Sequence, residues 1–177
     1  MFKLPNSAVI AAASATLAMS MFAPVAQAAG KLSSADESML KDIARANIAE
    51  IDSGRLAVEK STNPEIKKFA QMMVDDHSKG LEETKALASS KSASLPDGPD
   101  TKHKAAMIEF KTLSGGLFDS RYVKQAGVGD HEATAKLLQK VQAEAKDADL
   151  KALATKMLPA VQGHLQHAQD LAAKTGK

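Results

Sequence analysis

Three histidines lie on the apolar faces of three predicted helices, and a glutamate lies at the edge of the apolar face of a fourth. These residues are His77, His131, His164 and Glu50. At about 1.5 Å of rise per residue, each lies roughly 20–25 Å from the turn that closes its helical hairpin. The spacing therefore predicts one polar layer at mid-height. Three imidazoles and one carboxylate suit zinc, iron, manganese or copper better than calcium or magnesium.

The same layer could instead be a network of hydrogen bonds without an ion. A buried polar group without a partner destabilises a fold by about 1–3 kcal/mol, so these side chains must satisfy one another or hold a ligand. The sequence leaves both alternatives open, together with the identity of any transition metal. Met73, one turn before His77, is either a soft ligand or a core residue. The charged residues that flank the histidines are predicted to be solvated, as is His103 in the crossover, and His167 lies off the apolar face of its helix. The flanking residues are Asp75, Asp76, Asp130 and Glu132.

The elements that must position these residues are helical. Apolar residues recur at intervals of three and four, and the segment 63–73 resembles the segment 147–157 at a constant offset of 84. This pattern predicts an all-α protein in which two helical hairpins, joined by a long crossover with a short helix, form a four-helix bundle. The predicted helices span about 34–61, 64–92, 101–113, 118–145 and 148–174.

The first 28 residues are typical of a secretory signal. A short positive start precedes an apolar run, and the small residues before Ala29 predict cleavage between Ala28 and Ala29. The mature part, 29–177, is predicted to form one domain that is periplasmic or secreted and has no integral membrane span. An uncleaved anchor is the alternative, although the apolar run is shorter than the ~20 residues that a span requires.

Composition excludes several classes of function. The 177 residues include 23 basic and 21 acidic side chains and no cysteine, so neither nucleic-acid binding nor cysteine chemistry is predicted. The chain also lacks a glycine-rich phosphate loop and a serine in a nucleophile elbow. We therefore predict no catalytic residue.

Four groups of residues form recognisable motifs: 49–51 with 54–57, 69–77, 118–122 with His131, and Leu158–Pro159 with His164–Leu165. Together these motifs resemble a known family, the domain of unknown function 4142, over about residues 34–174. The resemblance implies a ferritin-like bundle in an exported bacterial protein. Ferritin-like di-iron sites place a glutamate three residues before a histidine, but Val74 and Val161 hold those positions here.

Two functions follow as expectations. The first is a non-catalytic binding or stress-associated protein, and the second is a metal-binding bundle that uses Glu50, His77, His131 and His164. A third interpretation makes the crossover 93–117 a surface for a protein partner, with Met107 and Phe110 exposed. A homo-oligomer is a further candidate assembly.

Overall fold

The computed structural model describes residues 30–175, which are helical apart from short connections. The predicted export signal lies outside the described residues. The all-α prediction is confirmed. The helices are α1 (Ser34–Lys60), α2 (Pro64–Ser90), α3 (Thr101–Thr112), α4 (Gly115–Tyr122), a π-helical segment (Val123–Asp130), α5 (His131–Glu144) and α6 (Ala148–Thr175).

Side-chain caps fix where the long helices begin. The Ser33 hydroxyl accepts a hydrogen bond from the Asp36 backbone N–H at 3.1 Å, and the Asn63 side chain accepts one from Glu65 at 2.9 Å, directly before Pro64. Asp147 caps α6 in the same way. These acceptors satisfy backbone donors that have no partner within the helix. Asn63 and Asp147 are 84 residues apart, so the internal repeat places equivalent caps on α2 and α6.

Two helical pairs pack against each other. Helix α1 packs along α2, and α6 packs along α5 and the π segment, while α2–α6 and α1–α5 contacts join the two pairs. Equivalent positions of the repeat are buried in both pairs. They are Ile66 with Leu150 and Ala70 with Ala154. Removing this apolar surface from water is the main force that holds the pairs together.

The third long helix differs from its prediction, because it is divided into α4, the π segment and α5. The π segment carries Gly127, where an added β-carbon would lie 3.0 Å from the Ala168 β-carbon of α6. Glycine therefore permits a close approach between the two helices, and the wider π turns sit directly before His131. Single π turns inside α-helices are often found at functional sites.

The predicted apolar surface on the crossover is wrong in part. Phe110 is 2% exposed and packs against Phe118 and Tyr122, because α3 folds back onto the bundle. The strongly exposed apolar side chains of the crossover are instead Ile108 and Leu117. Among the described helices, none is both long and apolar enough to cross a membrane.

Candidate metal centre

The structure brings His77, His131 and His164 together in the core. Each contributes one ring nitrogen to a group whose members lie within 4.8 Å of one another. The ring centroids are 5.4 to 5.5 Å apart, and the three residues are between 1% and 6% exposed. The first comes from α2, the second from the start of α5 and the third from α6, so the layer links both helical pairs.

Hydrogen bonds orient each of the three imidazole rings. Nδ1 of His77 lies 3.0 Å from the Asn47 side-chain oxygen, and the amide nitrogen of Asn47 donates to the Ile43 carbonyl. His131 donates from Nδ1 to the Ala126 carbonyl of the π segment at 2.9 Å. His77 and His131 therefore carry their protons on Nδ1 when they are neutral, which leaves a lone pair on Nε2 of both rings.

His164 is oriented from the other side of its ring. Its Nε2 lies 3.1 Å from the Asp76 carboxylate, so Nε2 carries the proton and Nδ1 carries the lone pair. That Nδ1 is buried and has no hydrogen-bond partner within residues 30–175. Carboxylates, side-chain oxygens and backbone carbonyls in these positions are the usual outer partners of metal-binding histidines, since they fix the tautomer and the ring orientation.

Two lone pairs face each other at the centre of the layer. The Nε2 atoms of His77 and His131 are 3.4 Å apart, and the tautomers set by Asn47 and Ala126 leave no proton to join them. At metal–nitrogen distances of about 2.0–2.1 Å, two nitrogens on one tetrahedral ion lie about 3.3–3.4 Å apart. The donors present thus fit a small transition-metal ion.

Burial keeps these histidines neutral. Loss of hydration lowers the pKa of His131 to about 4, although the Ala126 hydrogen bond opposes this effect. The same loss of hydration lowers the pKa of His77 strongly and the pKa of His164 to a smaller extent. All three rings are therefore in the unprotonated form that binds metals at neutral pH.

Glu50 lies beside the layer but outside the group of three nitrogens. Its Oε1 is 3.7 Å from Nδ1 of His131, which is the nitrogen turned toward Ala126. Its Oε2 is buried and has no hydrogen-bond partner in the described part of the chain. Burial, followed by the nearby charge of Asp130, raises the pKa of Glu50 well above its usual value. Its predicted role as a ligand stays a prediction.

Three residues predicted to be solvated have structural partners instead. Asp76 orients His164. Asp130 is 6% exposed and pairs with Lys102 at 2.8 Å, because the crossover folds over the end of the π segment. His103 is half-buried and lies 2.7 Å from Asp100 and 3.5 Å from Asp130. The prediction of solvation is confirmed for Asp75 and Glu132, which are exposed, and His167 is exposed as well.

Two polar groups of α4 are buried. The Tyr122 hydroxyl has no hydrogen-bond partner among residues 30–175. Asp119 lies within α4, which begins at Gly115, and its Oδ1 has no hydrogen-bond partner in the same part of the chain. Met73 is fully buried in the apolar cluster around Phe69, as expected of a core residue.

A cleft between α2 and α6 reaches the histidines from the surface. This α2–α6 cleft has a volume of about 210 Å³, and its lining includes His77, His164, Asp76, Gly80, Met157 and Ala160. An added β-carbon at Gly80 would lie 2.7 Å from the Asn47 oxygen that orients His77, so a larger residue at this position would displace the Asn47 side chain. His131 lies on the opposite side of the layer, against Glu50 and the π segment.

Similarity to known proteins agrees with this architecture. The model of a family described as "Domain of unknown function (DUF4142)" matches residues 22–171. The chain belongs to the DUF4142 family. The resemblance predicted from the sequence motifs is thereby confirmed. No curated protein matches the chain in sequence.

Solved structures of other proteins share the fold of this DUF4142 chain. A DUF305 fragment from Deinococcus radiodurans is 9% identical, with a TM-score of 0.72, and the match covers 81% of this chain and 99% of that one. CopM in its Cu(II)-bound form is 15% identical and has a TM-score of 0.66. In its Cu(I)-bound form it is 14% identical and has a TM-score of 0.65. Each CopM match covers 78% of this chain and 96% of CopM. At these identities the likeness concerns the fold.

Proposed function

We propose that this DUF4142 protein is exported and binds one copper ion through His77, His131 and His164, in a ferritin-like four-helix bundle formed by residues 29–177. The observation that carries the proposal is the pair of Nε2 lone pairs 3.4 Å apart, each directed inward by a hydrogen bond on the opposite side of its ring. Such a pair is repulsive unless a cation lies between the two nitrogens. Burial lowers the pKa values of both rings, which disfavours a proton as that cation near neutral pH.

Copper is the metal that the donor set favours. Among divalent first-row metals, copper binds nitrogen sites most tightly, and imidazole suits both copper and zinc. CopM, which shares the fold, has been solved with Cu(II) and with Cu(I) bound. Zinc is the competitor to test, because three histidines with an open fourth position also describe zinc sites. Missing carboxylates at positions 74 and 161 disfavour a di-iron site.

Metal content tests the proposal directly. Purified wild-type protein is expected to hold about one equivalent of copper after incubation and desalting, and His77→Ala less than about a tenth. His167→Ala is the matched control, because His167 is an exposed histidine on the same helix as His164 and lies outside the group of three ring nitrogens. Elemental analysis gives the stoichiometry. Wild-type protein with less than a tenth of an equivalent of copper, and an unchanged melting temperature on adding copper or zinc, would sink the proposal.

Asn47 is expected to tune the copper site without touching the ion. Asn47→Leu removes the acceptor for Nδ1 of His77 and should lower copper affinity by about 10–100-fold, the usual effect of losing an outer partner. Asn47→Asp retains an acceptor and should stay within about threefold of wild type. Competition with a coloured chelator measures both affinities. Equal losses in the two variants would show that packing, and not the hydrogen bond, is responsible.

A further inference from the structure

The α2–α6 cleft exposes one side of the three-histidine layer to the surface. His77 and His164 line it, whereas His131 lies behind them on the closed side of the layer. Lys79, Lys156 and Ala160 line the same cleft and are exposed, so they mark its mouth. An ion that enters from solvent along this cleft meets His77 and His164 first. On the other side of the layer, His131 lies against Glu50 and Ala126 of the π segment.

Two side chains in the α2–α6 cleft can contact a cation on its way to the histidines. Asp76 is a partly exposed carboxylate, shared between His164 at 3.1 Å and Lys79 at 3.4 Å. Met157 offers a thioether. It lies seven residues, about two helical turns, before His164, so both side chains occupy the same face of α6. The terminal methyl of Met157 would lie 3.1 Å from a β-carbon at Gly80. The absence of a side chain at Gly80 therefore leaves room for the thioether of Met157.

The charge of the site favours a monovalent ion. All three inward-facing donors are neutral nitrogens, and Asp76, the carboxylate that contacts His164, already contacts Lys79. The solvation energy that an ion loses on burial rises with the square of its charge, so a divalent ion loses about four times as much as a monovalent one. A thioether also prefers soft Cu(I) over harder divalent ions.

We propose that the α2–α6 cleft is the route by which Cu(I) reaches and leaves the three histidines, with Met157 as the soft contact along it. This inference rests on the proposed copper-binding function. It makes the ion an exchangeable cargo, because the site opens to solvent between two helices. The protein then receives and releases Cu(I) without unfolding.

A plug in the cleft tests the route. Ala160→Phe places a ring at the exposed mouth, and Ala152→Phe is the matched control, since Ala152 is exposed on the same helix outside the cleft. Stopped-flow transfer of Cu(I) to and from bicinchoninate, without oxygen, measures loading and release. Ala160→Phe should slow both by at least about tenfold and leave the dissociation constant within about threefold, as expected for a gating position. Ala160→Leu replaces it if circular dichroism shows that the phenylalanine variant does not fold.

Met157→Leu tests the soft contact. This variant keeps the side-chain volume and removes the sulfur, so Cu(I) loading should slow by about fivefold or more while Zn(II) loading stays within about twofold. Met72→Leu, at a half-buried position outside the cleft, should change neither rate.

The outcomes separate this inference from the proposed function. Equal rates for Ala160→Phe and Ala152→Phe would overturn the route, and an unchanged Cu(I) rate in Met157→Leu would overturn the role of the thioether. Both results would leave copper binding by the wild-type protein intact. Wild-type protein that binds no copper would instead overturn the proposed function, and the route with it.

Discussion

Replacing His131 with glutamine is expected to lower copper affinity by more than about 100-fold. Loss of an outer hydrogen-bond partner alone reduces metal affinity by 10–100-fold, and a direct ligand contributes more. His131 is also the most deeply buried of the three rings, at 1% exposed, so water cannot readily take its place. Competition titration against a Cu(I) chelator, in parallel with elemental analysis, measures the loss.

Glutamine is chosen because it separates binding from folding. Its side-chain amide is similar in length to imidazole and keeps a hydrogen-bond donor in the buried layer, where Nδ1 of His131 donates to the Ala126 carbonyl in the wild-type protein. The far-ultraviolet circular dichroism should therefore be unchanged. His103→Gln is the matched control, since His103 is a half-buried histidine bonded to Asp100 outside the layer. If His131→Gln binds copper as tightly as His103→Gln, His131 is not a ligand.

The helical repeat could be predicted from the sequence because its signals are local. Caps at Asn63 and Asp147 and apolar spacing of three and four residues depend on neighbours along the chain. Those signals also placed the three histidines on inward faces. The π segment before His131 was not predictable in this way, because it lies where Gly127 closely approaches Ala168 of α6, and that contact joins residues far apart in the sequence.

The partners of the histidines were harder to predict than the histidines themselves. Asp76 follows the period of a solvated face, yet it reaches across to His164 on α6. For Asn47 the sequence contains a partial indication of its role, because Asn47 occupies the position in the first hairpin that His131 occupies in the second. The structure shows the consequence of that equivalence: the two side chains contact opposite nitrogens of His77. Such cross-helix contacts depend on the packing of the two hairpins and not on helix periodicity.

The metal-free protein is expected to lose stability in mild acid through these same histidines. The folded-state pKa of His131 is about 4, below the unfolded value of about 6.5. As the pH falls below 6.5, the unfolded chain therefore takes up a proton that the folded protein does not. For His131 alone this lowers the free energy of unfolding by about 2 kcal/mol between pH 7 and pH 5. The loss stops growing below about pH 4. His77 and His164 act in the same direction.

Comparison with His131→Gln isolates this effect, because other groups oppose it. The pKa values of Glu50 and His103 are raised, so these residues favour the folded state as the pH falls, but they are present in both proteins. Urea unfolding at pH 7 and pH 5, with chelator present, should show wild type losing about 2 kcal/mol more than His131→Gln. Equal losses would mean that His131 is protonated in the folded protein. In that case a proton would already join His131 to His77, and the facing nitrogens would no longer require a metal ion.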